Sequence, residues 1–206
     1  MKVLLINASP RKDGNTYVAL SEAARVLQEE GFDTGFFHIG SQPVRGCAAC
    51  GACARDNNLR CAFDDDITNR LIEAAQTADA FIFGTPTYFG QPNGALLAVL
   101  QRALYAARPV FAFKPVASVV VARRGGATAA LQTMNMPFQM CNMPVATSQY
   151  WNIVYGAAKG EARLDAEGLQ TMRTMAHNLA WLMRSLAAEP HYDIDSEPHQ
   201  RTNFIR

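Results

Sequence analysis

Two stretches of the chain concentrate side chains able to do chemistry. The first is Asn7-Ala8-Ser9-Pro10-Arg11-Lys12-Asp13-Gly14-Asn15-Thr16. It follows the apolar run Val3–Ile6 and precedes a helical pattern. A strand-to-helix turn of this kind aims the free N–H groups and positive dipole end of the helix at one point, which makes an anion site. Ser9, Asn15 and Thr16 add short donors, and Arg11 brings a guanidinium that pairs with phosphate. The Gly-Lys-Ser/Thr ending of a nucleoside-triphosphatase loop is missing, and so is the Gly-x-Gly-x-x-Gly of a dinucleotide fold. The loop therefore has room for one phosphate and no magnesium pattern. The plainer reading of the same residues is an ordinary strand–helix turn with an N-cap.

The second stretch is Cys47-Ala-Ala-Cys50-Gly-Ala-Cys53, followed by Cys61. Four of the five cysteines fall within fifteen positions, with gaps of two, two and seven residues. Thiolates at this spacing can wrap a four-iron, four-sulfide cubane, which is ordinarily held by four cysteines. Zinc is a second reading, although structural zinc more often uses two separated cysteine pairs. Packing or redox-sensitive thiols are a third. Cys141 stands alone and reads as a buried apolar residue.

These residues need a frame. Val3–Ile6, Ala80–Gly84 and Val116–Ala122 are continuous apolar runs of the kind found in buried parallel strands. Thr34–Ile39 reads as a further strand, and Pro144–Ser148 as a short fifth one. Helical spacing covers Thr16–Glu30, Asp66–Thr77, Ala95–Ala107, Ala129–Met136 and Asp165–Ala187, with Gly31 and Pro137 as stop signals. Strands alternating with helices imply right-handed crossovers and an open parallel sheet covered on both faces. In such a sheet, ligands bind beyond the carboxyl ends of the strands. Gly40–Asp64 is long for a connection in a compact domain, and loops of that length are usually functional.

The 206 residues, 49% hydrophobic, suit a single domain over 1–189. Pro190–Arg206 is a polar tail with no apolar period. A formal net charge of +1 gives no electrostatic case for nucleic acid or an anionic membrane, and it argues against a strongly acidic electron shuttle. The N-terminus turns polar too soon for a signal peptide, no apolar run reaches membrane-spanning length, and a cytoplasmic location is expected. His38, His177, His191 and His199 are scattered and read as structural or solvent-exposed. Met134, Met136, Met140 and Met143 read as core filling rather than a pliable substrate wall.

Ser9-Pro10-Arg11 with Gly14-Asn15-Thr16 resembles the phosphate loop of the NADPH-dependent FMN reductase family. Thr85-Pro86-Thr87-Tyr88-Phe89-Gly90 resembles that family's loop after the third strand, and the resemblance runs from Lys2 to about Ser148. It implies a flavodoxin-like, three-layer α/β fold with a five-stranded parallel sheet in the order 2-1-3-4-5. It also implies bound FMN, with NAD(P)H as co-substrate. The phosphate would be held by Ser9, Arg11, Asn15 and Thr16. The ring system needs apolar faces and backbone N–H groups. Pro86, Thr87, Tyr88, Phe89 and Gly90 would supply both, and Arg123, Gly125 and Gly126 would border the ring from the loop after the fourth strand. Core packing remains open for Tyr88 and Phe89, and a solvated loop for Arg123 and Arg124. No side chain need act as nucleophile or acid, because the flavin carries the chemistry.

The implied activity is passage of electrons from NAD(P)H through FMN to a flavin, quinone or other small acceptor, in a homodimer or homotetramer to which the tail contributes. The chain departs from the family in the helix after the third-strand loop. Leu97 and Gln101-Arg102 stand where members often carry Lys and Asp-Arg at a dimer interface. The cysteine segment resembles the compact motif of the iron–sulfur flavoproteins, which would place a [4Fe–4S] cluster at Cys47, Cys50, Cys53 and Cys61 and make the chain an electron-transfer relay. Cluster-free flavin reductases with such a loop leave both readings open.

Overall fold

The structure, a computed structural model, describes residues 1–189, 200 and 202. Strand β1 (Lys2–Asn7) alternates between two cores. Val3 and Leu5 join one, while Leu4 and Ile6 join the other. This two-sided burial explains why the segment reads as a continuous apolar run. Helix α1 (Asn15–Glu29) turns Val18, Ala19, Ala23, Val26 and Leu27 onto the first core, and Gly31 follows with φ of 85°. Strand β2 (Asp33–His38) pairs with β1 at the sheet edge, which is why its alternation is blurred.

The chain then makes its long excursion. Within it lies a helical turn, α2 (Ala52–Asp56), that the sequence pattern does not announce. Helix α3 (Thr68–Gln76) starts two residues later than expected, because Asp66 acts before it: its Oδ1 accepts the Thr68 N–H at 3.0 Å. Strand β3 (Ala80–Tyr88) runs four residues past the expected Gly84 and pairs antiparallel with a two-residue strand, β4 (Gln91–Pro92). That hairpin adds a sixth strand to the five expected.

Helix α4 (Gly94–Phe111) is capped by Asn93, whose side chain accepts the Ala95 N–H at 2.8 Å. Its backbone breaks from helical geometry at Ala107, the expected end, two residues before Pro109. Helical pattern resumes to Phe111, whose buried ring packs on Phe81. Strand β5 (Val116–Ala122) is buried throughout. Helix α5 (Ala127–Met140) carries on past Pro137, the expected stop. Phe138 is fully buried with its ring 4.9 Å from that of Phe83, so packing outweighs the lost backbone bond. Of the four methionines, Met134 and Met143 do fill the core, whereas Met136 and Met140 are exposed. Cys141 is buried, as expected.

The fifth parallel strand is the clearest correction. Pro144–Ser148 contributes one bridge, Val145 to Val116, and then leaves the sheet. The chain returns as β6 (Ile153–Tyr155), paired with Val120–Ala122. The intervening turn holds itself together: Ser148 Oγ lies 2.8 Å from Asn152 Oδ1, and Asn152 Nδ2 donates to the Ala146 carbonyl. A short 3-10 helix, Glu161–Leu164, leads into α6 (Ala166–Ala188), which packs on α1. The expected C-terminal tail lies outside the described residues, apart from 200 and 202.

The sheet order is β2-β1-β3-β5-β6, the flavodoxin-like 2-1-3-4-5 arrangement among its parallel strands. One core lies under α1 and α6, and a second under α3 and α4. The order in which strands are added to the sheet reverses between the parallel neighbours β1 and β3, so their carboxyl ends open a crevice at that switch point.

Candidate functional site

The turn after β1 is tied before any ligand is considered. Asn7 accepts the Ser9 N–H at 3.0 Å and donates to the Lys12 carbonyl at 2.9 Å. Ser9 Oγ accepts the Arg11 N–H at 3.1 Å. His38 Nε2 donates to the Ser9 carbonyl at 2.7 Å, and Asn93 Nδ2 to the Ala8 carbonyl at 2.6 Å. His38 thus has the structural role expected of it, in the wall of the site. Helix α1 begins at Gly14 without any side-chain cap, so its first N–H groups face outward. A Cβ on Gly14 would come within 3.3 Å of Arg11 Cβ, which suits glycine there.

Above this turn, an open cleft collects Ser9, Arg11, Asn15 and Thr16 with Pro86, Thr87, Tyr88 and Arg123. Tyr88 and Phe89 are exposed, so they are not core residues. Phe89 stands fully out at the hairpin tip with φ of 51°, followed by Gly90 at 77°. Gly126 lies against Gly90, where an added Cβ would sit 2.8 Å from the Gly90 Cα. The close approach of the two loops therefore requires glycine at 126, whereas Gly90 is suited by its positive φ. Phe89, Gly90, Gly125 and Gly126 edge the cleft rather than line it. Arg123 and Arg124 are both exposed, and only Arg123 lines the cleft.

A third wall has no counterpart in the sequence reading. Gly156, Ala157 and Lys159 also line the cleft. Asn15 spends its side chain on this strap, donating to the Ala158 carbonyl at 2.8 Å and accepting the Ala162 N–H at 3.2 Å. Glu161 Oε2 accepts the N–H groups of Ala158 and Ala157, which hold its carboxyl below the usual range. Lys159 Nζ bonds Asp13 Oδ2 at 2.5 Å, lowering the Asp13 carboxyl and leaving a cation at the mouth. The only advance signal for the strap is the apolar triplet Ile153-Val154-Tyr155 followed by Gly156.

The cysteines gather elsewhere. Cys47, Cys50, Cys53 and Cys61 line one cavity of about 170 Å³ with Arg102 and Tyr105 of α4. Cys47 and Cys50 are exposed, while Cys53 and Cys61 are half-buried. The backbone between them is strained: Ala49, Asn57 and Leu59 have φ of 51°, 44° and 56°. The strained Ala49 turns its N–H to Cys47 Sγ at 3.4 Å. Asn69 clasps the far side, accepting the Cys61 N–H at 2.9 Å and donating to the Cys61 carbonyl at 3.0 Å.

Arg102 is buried and bridges both flanks of the loop. Its Nε–H donates to Cys61 Sγ at 3.2 Å and Nη2 to the Phe63 carbonyl at 2.7 Å. Nη1 reaches the Arg45 carbonyl at 3.3 Å and pairs with Asp66. Burial opposes both charges. Hydrogen bonds that Arg102 donates to Cys61 and Asp66 nonetheless raise its guanidinium, and those from Thr68 and Arg102 lower the Asp66 carboxyl. Arg102, one of the positions at which the chain departs from the family's interface pattern, is an internal pillar of the cysteine loop. An arginine in the middle of an otherwise apolar helical stretch, downstream of Asp64-Asp65-Asp66, was the available signal.

Both arrangements fit the groups implied for them. In the cleft, Thr87 Oγ1 is buried without a hydrogen-bond partner, and α1 has an uncapped end. A flavin edge and a phosphate would meet those needs. In the second cavity the donors are four soft sulfurs with N–H groups already turned to two of them, the donor set of an iron–sulfur centre. Among the described residues, no three of His, Cys, Asp or Glu are gathered closely enough to hold a metal ion.

Residues 1–158 match the family described as NADPH-dependent FMN reductase, and the chain belongs to that family. An iron–sulfur flavoprotein of Methanosarcina thermophila is 32% identical over 185 residues, covering 87% of this chain and 93% of that one. An iron–sulfur flavoprotein of Methanocaldococcus jannaschii is 29% identical over 196 residues, covering 89% and 98%. Among solved structures, RosB with the bound intermediate 8-demethyl-8-formylriboflavin-5'-phosphate superposes with a TM-score of 0.70 at 18% identity. That superposition spans 99% of this chain and 92% of RosB, and shows the shared fold. The chain is thus a flavoprotein oxidoreductase by family. No helix among the described residues is long and apolar enough to cross a membrane.

Proposed function

We propose that the protein binds FMN in the cleft at the β1–β3 switch point and acts as an NAD(P)H-dependent oxidoreductase toward a flavin, a quinone or another small acceptor. The observation that carries this reading is the convergence of the uncapped α1 N-terminus, Arg11 and the unpaired Thr87 hydroxyl on one cleft. Bound FMN supplies hydride acceptance and electron release. The chain's own residues bind and orient. Ser9, Arg11, Thr16 and the first N–H groups of α1 hold the phosphate, with Asn15 fastening the strap beside them. Thr87 Oγ1 and the backbone of 86–90 take the polar edge of the ring. Tyr88 covers one face, and Arg123 places positive charge near that edge, favouring the more negative reduced form. Phe89, fully exposed at the mouth, suits a neighbouring subunit completing the site in a homodimer or homotetramer.

The test is release of the cofactor by heat, identification by chromatography, and anaerobic bleaching of the flavin band by NADH and NADPH. FMN with bleaching supports the reading. FAD, or no flavin affinity after reconstitution, would falsify it.

A second reading rests on the cysteine cavity: a [4Fe–4S] cluster at Cys47, Cys50, Cys53 and Cys61, making the chain an iron–sulfur flavoprotein that relays single electrons. The names of the two relatives support it, as do the four sulfurs lining one cavity.

A further inference from the structure

The cysteine loop holds four sulfurs, and only Cys61 is gripped by a buried cation. Arg102 exposes 2% of its surface and is among the largest fully buried side chains of the protein. Burying a guanidinium is costly unless its donors are met. Here Nε, Nη1 and Nη2 reach one sulfur, two carbonyls and one carboxylate. Three of these acceptors are in the cysteine loop itself, at Arg45, Cys61 and Phe63, and the fourth, Asp66, ends it. A lysine would supply the charge but not the planar fork that reaches four acceptors at once.

The geometry has an electrostatic sense as well as a mechanical one. The guanidinium faces Cys61 through Nε, while Asp66 pairs with Nη1 on another arm of the fork. The ion pair therefore presents its positive end to the sulfur. In a buried setting such a fixed dipole acts with little screening. Any group bound by Cys61 gains one negative charge on accepting an electron, and a positive dipole end favours that state.

We propose that Arg102 is the positioning and charge-setting residue of the cysteine site. Its Nε–H aims the Cys61 sulfur, and the Arg102–Asp66 pair sets how readily a cluster held there accepts an electron. This rests on the cluster reading given above. Arg102 stays protonated throughout and moves no proton; the electron comes from the reductant.

The experiment is a dithionite redox titration of anaerobically purified holoprotein, followed by electron paramagnetic resonance, with iron counted per chain. Asp66→Asn keeps the size of the side chain and the Arg102 bonds to Arg45, Cys61 and Phe63, but leaves the guanidinium without its counter-charge, so loop proteolysis is measured beside the titration. It should make the cluster easier to reduce, by about tenfold in the equilibrium constant, or about 59 mV for one electron. Arg102→Gln combined with Asp66→Asn removes both charges without orphaning either, and should make reduction harder than in the wild type. Arg102→Lys, which retains the charge, should fall between that double variant and the wild type. Opposite shifts in the first two variants separate charge from loosening, since a loosened loop would move both the same way. Wild-type potentials in all three, with full iron, would overturn the proposal and leave Arg102 as a structural strut. Wild-type protein with no iron under anaerobic handling would overturn the cluster reading and the proposal with it.

Discussion

The cleft and the cysteine loop are built by opposite means. The cleft is made from short turns at the ends of adjacent strands, tied by bonds local to each turn or between neighbouring turns: Asn7 to Ser9 and Lys12, Asn93 to Ala8. The sheet supplies its rigidity, and the sequence has only to place small polar residues at strand ends. The cysteine loop leaves the sheet at Ile39 and rejoins regular structure at α3. It is held from outside, by Arg102 on one flank and Asn69 on the other, around a backbone strained at Ala49, Asn57 and Leu59. The cleft also has long-range bonds, Asn93 to Ala8 and Asn15 to Ala158, but they fasten turns that the sheet has already brought together, whereas the cysteine loop has no sheet beneath it and rests on such contacts. Damage should therefore spread widely in the second and stay local in the first.

The largest expected effect follows from removing one partner of the buried pair. Arg102→Leu leaves Asp66 buried and unpaired, and should cost about 3–5 kcal/mol in the unfolding of the cysteine loop. Limited proteolysis within 40–64 should accelerate while FMN stays bound. Equal loss of FMN would show that the two regions are not separate. Next is Arg11→Ala, expected to weaken FMN binding by about 1.5–3 kcal/mol, the range for a hydrogen bond to a charged group. Riboflavin, which lacks the phosphate, should bind almost as before. An equal loss for both ligands would mean that Arg11 acts through the fold. Asn93→Ala removes the α4 cap and strands the Ala8 carbonyl, for about 1–2 kcal/mol by denaturant titration. It should loosen the phosphate turn and spare the cysteines. Smallest is Lys159→Met, whose exposed pair with Asp13 should contribute little to stability and fade with salt.

Acid sharpens the same contrast. The Asp66 carboxyl is lowered in the folded protein, so the pair's contribution is fully present above the unfolded carboxylate value, about 3.9. It is lost as pH falls below that value through the folded one. Proteolysis of the cysteine loop should rise over that window in the wild type. In Asp66→Asn that rise should be largely absent.

The sheet, the helices and the phosphate loop were legible because each is a local pattern: apolar runs for strands buried on both faces, 3.6-residue spacing for helices, and donor residues at a strand end. Misread boundaries have two causes, tertiary packing that overrides a local stop and side chains that cap or turn the chain locally. Pro137 lies inside α5 because Phe138 docks on Phe83. The fifth strand came in two pieces because the 147–152 turn supplies its own hydrogen bonds through Ser148 and Asn152. The parts of the site that the sequence hid depend on distant pairings. Nothing local links Asn15 to Ala158, or Arg102 to Cys61 and Phe63, across 143, 41 and 39 positions of chain. The cysteine spacing itself was visible, but what braces it was not.

The proposed arrangement is two independent redox sites on one chain, an FMN cleft and a cysteine-held cluster. Iron, sulfide and FMN counted together in protein made and kept without oxygen test it most directly. The account predicts one FMN with about four iron and four sulfide per chain, the composition of one cubane. Changing Cys47, Cys50, Cys53 or Cys61 singly to Ser should remove most of the iron and leave the FMN, while Cys141→Ser should change neither. FMN with no iron, in protein that still oxidises NAD(P)H fully, would contradict it.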